Sequence, residues 1–94
     1  MRKVQHNTTP WRTVEVAVIA EKGKSLQVAL AFLEKFEDNA HNVYTRIERN
    51  HNVTALFIYR HSQELHDIVK DIKNIPYVKH VYSRHINTSS SEVN

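Results

Sequence analysis

Seven histidines are the side chains of this 94-residue sequence best suited to binding a metal ion. They are His6, His41, His51, His61, His66, His80 and His85. Two histidines on one helix can share a metal when they are four residues apart, and two on one strand share a face when their spacing is even. His61 and His66 are five apart, as are His80 and His85. The spacing favours surface histidines with no metal or cofactor, and leaves open a site assembled across strands or between two copies.

The segment Glu21-Lys-Gly-Lys-Ser25 is a second place where ligand chemistry is suggested, because it holds the only glycine and lies between a predicted strand and a predicted helix. Free amides and the positive end of a helix bind carboxylates and other anions, and Lys22 and Lys24 add positive charge. Ser25 is expected to cap the first turn of that helix. The alternative is an ordinary turn whose glycine takes a backbone angle that other residues avoid.

A set of aromatic and arginine side chains raises the question of RNA binding. The aromatic residues are Tyr44, Phe57, Tyr59 and Tyr82, and the arginines are Arg46, Arg49, Arg60 and Arg84. RNA-recognition domains stack bases on aromatic residues of a sheet and carry a basic-Gly-aromatic-Gly/Ala-Phe pattern on one strand. Here that strand reads Asn52-Val-Thr-Ala-Leu-Phe57, without the pattern. The aromatics are therefore assigned to the core or to a dimer contact, and nucleic acid is not the expected partner.

No group of residues has the context of a catalytic motif. No serine, histidine and acid lie in a known nucleophile pattern, and the acidic residues Glu34, Glu37 and Asp38 end a helix instead of forming a carboxylate pair. On the second helix, residues 67–73 alternate acidic and basic side chains, as a solvated helix face does. The sequence predicts a protein without catalytic activity.

Length and composition predict one soluble domain. Hydrophobic residues make up 40% and charged residues 24%, and no apolar run approaches the ~20 residues needed to cross a bilayer. The start lacks the apolar stretch of a secretion signal, and there is no cysteine for a disulfide or a thiolate. A cytoplasmic location is expected. The net charge of +3 is spread out, which gives little support for an anionic partner.

Hydrophobic periodicity predicts six elements between residues 13 and 86. Valines alternate with other residues over Thr13–Ala20, as in a half-buried strand. The first helix runs from Ser25 to about Phe36, with a predicted core stripe of Leu26, Ala29, Leu30, Leu33 and Phe36. A more exposed strand spans Asn42–Arg49, and Asn50-His-Asn52 forms a hairpin turn, since asparagine tolerates left-handed backbone conformations.

The second half of the chain repeats the pattern of strand, helix and strand. Val53–Tyr59 is almost continuously apolar, which is typical of a central strand. A helix opens at Ser62 and ends before Pro76, with Leu65, Ile68, Val69, Ile72 and Ile75 on one stripe. The last strand is Val78–Ile86. Residues 1–12 form a polar lead-in, and the serine-rich residues 87–94 form a disordered tail.

The order β-α-β-β-α-β predicts an α+β, ferredoxin-like fold. Right-handed crossovers place the first and third strands at the centre of a four-stranded antiparallel sheet, with both helices on one face. The other face of the sheet is then open or covered by a partner.

The chain resembles the ACT domain, especially the type that closes the RelA/SpoT enzymes of the stringent response, which make and hydrolyse guanosine tetraphosphate. In that family a helix with leucine and isoleucine spacing is followed by Pro-Gly-Val-x-x-Val, and residues 62–82 end in Pro76-Tyr-Val-Lys-His-Val-Tyr82. Residues 14–26 resemble the family's first strand, ligand loop and helix start. Two features depart from the family: its Asp-x-x-Gly loop is matched only loosely by Glu21-Lys-Gly23, and the glycine before Val78 is replaced by Tyr77.

This resemblance implies a regulatory module that is a homodimer or a domain of a larger protein. It implies an amino acid or similar small ligand, bound by Lys22, Gly23, Lys24 and Ser25, with Asn42 and Tyr44 facing them from a partner subunit. The effector domain of the Lrp/AsnC family has the same topology and a similar last helix and strand. That alternative implies effector binding and oligomerisation, and a protein-binding or RNA-binding ferredoxin-like module is the other reading left open.

Overall fold

The computed structural model describes residues 10–86, which form four strands and two helices in the predicted order. The elements are β1 (Arg12–Ala20), α1 (Ser25–Phe36), β2 (Asn42–Ile47), β3 (Val53–Tyr59), α2 (Ser62–Lys73) and β4 (Val78–Ile86). All of them lie within two residues of the predicted bounds. The predicted tail, most of the lead-in and His6 lie outside the described residues.

The four strands form one antiparallel sheet in the order β2-β3-β1-β4, which confirms the ferredoxin-like α+β fold. β1 is central and pairs with β3 on one side and β4 on the other. The two edge strands differ in length: β4 has nine residues and β2 has six. Each has a register shift, in β2 between Asn42 and Tyr44 and in β4 between Val78 and His80. No helix within residues 10–86 is long and apolar enough to cross a membrane.

The core lies between one face of the sheet and the two helices. Val14, Val16 and Val18 of β1 are at most 1% exposed and belong to the same buried cluster as Ile68 and Ile72 of α2. Alternate residues of β3, from Val53 to Tyr59, are also buried there. Because strand residues alternate between faces, Thr13, Glu15 and Ala17 of β1 point away from the helices.

The predicted core stripe of α1 is partly wrong. Ala29 and Phe36 are buried, but Leu26 and Leu30 are more than half exposed, and the remaining buried positions are Val28 and Phe32. The rings of Phe32 and Phe36 are 4.7 Å apart, and Phe57 of β3 meets them edge-on. Most of α1 is apolar, so spacing alone does not identify its buried face. The aromatic ring of Phe57 fixes that face by packing between the two phenylalanines of the helix.

The hairpin turn between β2 and β3 forms as predicted, but a different residue takes the left-handed conformation. His51 has φ +69°, while Asn50 accepts a hydrogen bond from the amide of Asn52 through its side chain at 3.0 Å. Asn50 therefore closes the turn with its side-chain oxygen, and His51 adopts the backbone angle that an asparagine or glycine favours.

Candidate functional site

The Gly23 turn joins the end of β1 to the start of α1. Gly23 has φ +80°, and the amide of Lys24 donates to the carbonyl of Glu21 at 2.9 Å, which closes the turn. A Cβ at Gly23 would meet nothing within 4 Å, so the backbone angle and not close packing calls for glycine here. The predicted cap is wrong: Ser25 is the first helical residue, Lys24 is the N-cap, and no side chain of the described chain caps α1.

Tyr77 lies beside the Gly23 turn in an unusual backbone conformation. Its φ is +72°, at the position where ACT domains carry glycine. The carbonyl of Tyr77 accepts a hydrogen bond from the amide of Glu21 at 2.8 Å, and Lys24 Nζ lies 4.5 Å from the centre of the tyrosine ring. One of the two lysines predicted to bind a ligand is therefore engaged in a cation–π contact with a neighbouring turn.

Asn42 and Tyr44 lie at the opposite end of the sheet from the Gly23 turn. Asn42 pairs with Phe57, which pairs with Val14 near the start of β1, whereas the turn follows the end of β1. The two groups are on the order of 20 Å apart within one chain. They would share a ligand only if Asn42 and Tyr44 came from another subunit, as the resemblance implies.

The side chain of Asn42 is used within β2. Its Nδ2 donates to the carbonyl oxygens of Tyr44 at 2.9 Å and Leu56 at 3.2 Å, and its Oδ1 accepts from the Thr45 hydroxyl at 3.0 Å. These bonds coincide with the register shift between Asn42 and Tyr44. Asn42 thus stabilises an irregularity of the edge strand, while Tyr44 is 43% exposed.

The aromatic residues considered for RNA stacking do not lie on one surface. Phe57 and Tyr59 of β3 are buried on the helix side, at 0% and 4% exposure. Tyr44 and Tyr82 lie on the opposite face, but on the two edge strands. The central strands between them present Ala17 and other residues without aromatic rings. The face therefore has two separate tyrosines and no continuous aromatic surface on which bases could stack.

The open sheet face is the surface of the sheet that points away from α1 and α2. Its centre consists of half-buried residues of β1 and β3, and its margins of exposed residues of β2 and β4. This face includes Glu15, Ala17, Ile19, Leu56, Ile58, Tyr44, Arg46, His80, Tyr82 and Arg84. The alternation of β1 predicts such a face, but a nearly continuous apolar run such as β3 does not reveal which residues belong to it.

Two ion pairs neutralise charge on and beside the open sheet face. Arg84 donates to Glu15 at 2.6 Å, and Arg46 donates to Glu48 at 3.0 Å. The hydrogen bond and the charge of Glu48 raise the pKa of Arg46. Hydrogen bonds from Arg46 and Thr54 lower the pKa of Glu48. The lowered pKa keeps Glu48 ionised, and the two ion pairs engage two of the arginines considered for RNA binding.

The described histidines are dispersed and make separate contacts. His41 Nδ1 lies 2.9 Å from the carbonyl oxygen of Ile58, and His85 Nε2 lies 2.5 Å from the hydroxyl of Tyr59. Within residues 10–86, no three histidine or acidic side chains gather where a metal ion could be held. The backbone amides of His61 and Arg60 donate to Glu64, and these two bonds lower its pKa.

Two shallow clefts lie near the end of α2, away from the predicted ligand residues. One of about 390 Å³ lies between Lys73 and the first residues of β4, including Lys79 and His80. The other, about 330 Å³, lies between α1 and the segment that follows α2, and includes Glu34 and Ile75. Neither cleft is lined by Lys22, Gly23, Lys24, Ser25, Asn42 or Tyr44.

Comparison with known proteins supports the fold and does not extend to a family. The chain is similar to a solved structure titled "Crystal structure of PH0061", with a TM-score of 0.57 and 11% sequence identity. The similarity covers 82% of this chain and 52% of that one, so this chain spans about half the length of its structural neighbour. No protein-family model matches the sequence, and no curated protein matches it significantly. At this identity the likeness concerns the fold alone.

Proposed function

We propose that this chain is a non-catalytic, ACT-like regulatory module that assembles with a second copy through the open sheet face. The observation that carries the proposal is the set of half-buried apolar residues at the centre of that face. Leu56 and Ile58 of β3, and Ala17 and Ile19 of β1, lie on the side of the sheet that no helix of the described chain covers. Leu56 lies opposite Glu15 and Ile58 opposite Thr13. Exposed apolar patches of this kind mark interaction sites in soluble proteins.

The charges of the open sheet face suit a second copy of the same surface. Glu15 at its centre bonds Arg84 of the same chain, and Arg46 bonds Glu48 at its margin. Two such faces brought together around a twofold axis would meet with these charges already compensated. Each carboxylate could also face an arginine of the other copy, which adds complementarity without a new buried charge.

The same surface is less suited to single-stranded RNA. Base stacking needs aromatic rings where the strand of nucleotides crosses the sheet, and the central strands offer aliphatic residues there. Two of the four arginines that would meet phosphates, Arg46 and Arg84, are paired with Glu48 and Glu15. Absence of salt-dependent binding to single-stranded RNA is the expected result.

Amino-acid sensing at the Gly23 turn stays a prediction from the resemblance. The uncapped start of α1 and the positive φ of Gly23 are compatible with an anionic ligand. Titration calorimetry with a panel of amino acids tests it on the purified chain. Heat that saturates with one amino acid and disappears in Gly23→Val would support sensing, and no heat with any amino acid would leave assembly as the whole function. Binding by an Lrp/AsnC-type effector domain would give the same signal, so this assay does not separate the two families.

Sedimentation velocity over a concentration series tests the assembly itself. A monomer–dimer equilibrium is the expected result, since the open sheet face has no other cover among residues 10–86. Leu56→Lys, which places a charge at the centre of the open sheet face, identifies the surface.

A further inference from the structure

The outer edge of β4 is a second surface, distinct from the open sheet face. β4 is an edge strand of nine residues, whose pairing with β1 shifts register at Lys79, between His80 and Val78, and is regular from His80 to Ile86. The other edge strand, β2, is shorter and carries the irregularity held by Asn42. The longer regular run of β4 presents unpaired amides and carbonyls that can bind another strand, whereas a short, bulged edge is protected against this.

The hydrogen bonds of the sheet define which groups of β4 point outward. The amide of Ile58 and the carbonyl of Leu56 bond toward the β2 side. In an antiparallel strand, the backbone amides and carbonyls of successive residues point alternately toward the two neighbouring strands. The residues of β3 that lie between Leu56 and Ile58 or flank them therefore bond β1 through their backbone groups. By the same alternation, the backbone groups of Glu15 and Ala17 of β1 bond β4. The backbone amides and carbonyls of their partners, Arg84 and Tyr82, therefore point toward β1. The amides and carbonyls of Val81, Ser83 and His85 point away from the sheet.

Positive side chains lie beside this outward edge. They are Lys79 and Arg84 on β4 and Lys73 on α2. Lys73 lines the 390 Å³ cleft together with the first residues of β4, including Lys79. Arg84 lies on the open sheet face, where it is bonded to Glu15. Within residues 10–86 neither Lys73 nor Lys79 is in an ion pair.

We propose that the β4 edge binds an extended acidic segment of another protein, which adds a fifth strand to the sheet. A peptide backbone satisfies both the outward amides and the outward carbonyls of Ser83 and its neighbours, whereas a nucleic-acid phosphate can pair with the amides only. Acidic side chains of the added strand would face Lys79 and the cleft beside Lys73. The inference is independent of the proposed dimer, which uses the face of the sheet and leaves this edge free.

A second copy of β4 is a poorer occupant of the same edge. β4 holds the cations Lys79 and Arg84 and no acidic residue between positions 78 and 86. A second copy of the strand therefore brings no carboxylate to this edge, whereas an acidic segment does.

Fluorescence anisotropy on the full chain tests the proposal with three labelled peptides of about eight residues. The first alternates glutamate and threonine, the second alternates lysine and threonine, and the third is the glutamate peptide with every amide N-methylated. We expect salt-sensitive binding of the first peptide and no saturable binding of the other two, because both charge and backbone hydrogen bonds are required.

Substitutions then locate the binding surface. Lys79→Glu should weaken the glutamate peptide about fivefold, whereas the matched charge reversal Arg49→Glu, beside the other edge of the sheet, should change it less than about twofold. Ser83→Pro removes an outward amide without removing a bond to β1, and should abolish binding while circular dichroism stays unchanged.

Five results would overturn the proposal. The first four are no binding of the glutamate peptide, equal binding of its N-methylated form, tighter binding of single-stranded RNA than of the peptide, and a dimer of the chain that Ser83→Pro dissociates. The fourth would assign the edge to a second copy. Binding that is equally weakened by Lys79→Glu and Arg49→Glu would also contradict it, since it would show attraction by overall charge alone.

Discussion

The amide of Glu21 donates to the carbonyl oxygen of Tyr77 at 2.8 Å, so the turn after β1 and the turn before β4 are held together. Tyr77 makes this bond with φ +72°, a conformation that costs residues other than glycine roughly 1–2 kcal/mol. The tyrosine ring in turn lies under Lys24. The local strain of one residue and the position of the Gly23 turn are therefore linked.

Replacing Tyr77 separates the effect of the backbone from that of the ring. Tyr77→Ala and Tyr77→Gly both lose the cation–π contact, but only glycine relieves the left-handed backbone. We expect Tyr77→Gly to be about 1 kcal/mol more stable than Tyr77→Ala in urea denaturation. At Tyr82, in the extended strand β4, the order should reverse, with glycine the less stable. Equal stability of the two Tyr77 variants would show that the backbone is not strained.

The carboxylate of Glu64 should contribute to stability in a pH-dependent way. The amides of His61 and Arg60 lower its pKa in the folded chain, so the folded state favours the ionised form. The stabilisation is present above the ordinary glutamate pKa of about 4.3 and is lost as pH falls through the folded value. Glu64→Gln should therefore flatten the acid limb of a plot of unfolding free energy against pH. An acid limb of Glu64→Gln as steep as that of the wild type would contradict this contribution.

Substitutions of the two aromatic residues Phe57 and Tyr44 should differ sharply in their effect on folding stability. Phe57 is fully buried against Phe32 and Phe36, so Phe57→Ala should cost about 3–5 kcal/mol in urea denaturation. Tyr44 is 43% exposed on an edge strand, and Tyr44→Ala should cost less than about 1 kcal/mol. Similar losses in the two variants would contradict their assignment to opposite faces of the sheet.

Sequence patterns predicted the element order because each element carries a clear signal. The alternating valines of β1, Pro76 after α2 and the polar turn at residues 50–52 fix where elements begin and end. The order then leaves few topologies, and the sheet order follows from right-handed crossovers.

The details that determine the candidate surfaces were harder to predict from the sequence. Leu30 and Phe32 are both apolar, and only packing against Phe57 decides that Phe32 is buried. The irregularity at Asn42 depends on side-chain bonds across strands, which spacing does not encode. Tyr77 did carry a signal, because it stands where the family that the chain resembles has glycine, and its φ of +72° lies in the left-handed region that glycine favours.

The most direct test of the central claim is the oligomeric state of Leu56→Lys, measured by sedimentation velocity beside the wild type. Leu56 is half-buried at the centre of the open sheet face, and Glu15 lies directly opposite it, so the new lysine has an acidic neighbour in the folded monomer. Leu30→Lys, on the exposed side of α1, is the matched control.

The account predicts a concentration-dependent dimer for the wild type and for Leu30→Lys. Leu56→Lys should remain folded by circular dichroism, and its dimer dissociation constant should rise by about tenfold or more, because a charge would be buried in the interface. A wild type that stays monomeric over the whole concentration series, or a Leu56→Lys variant that dimerises as tightly as the wild type, would contradict assembly through the open sheet face.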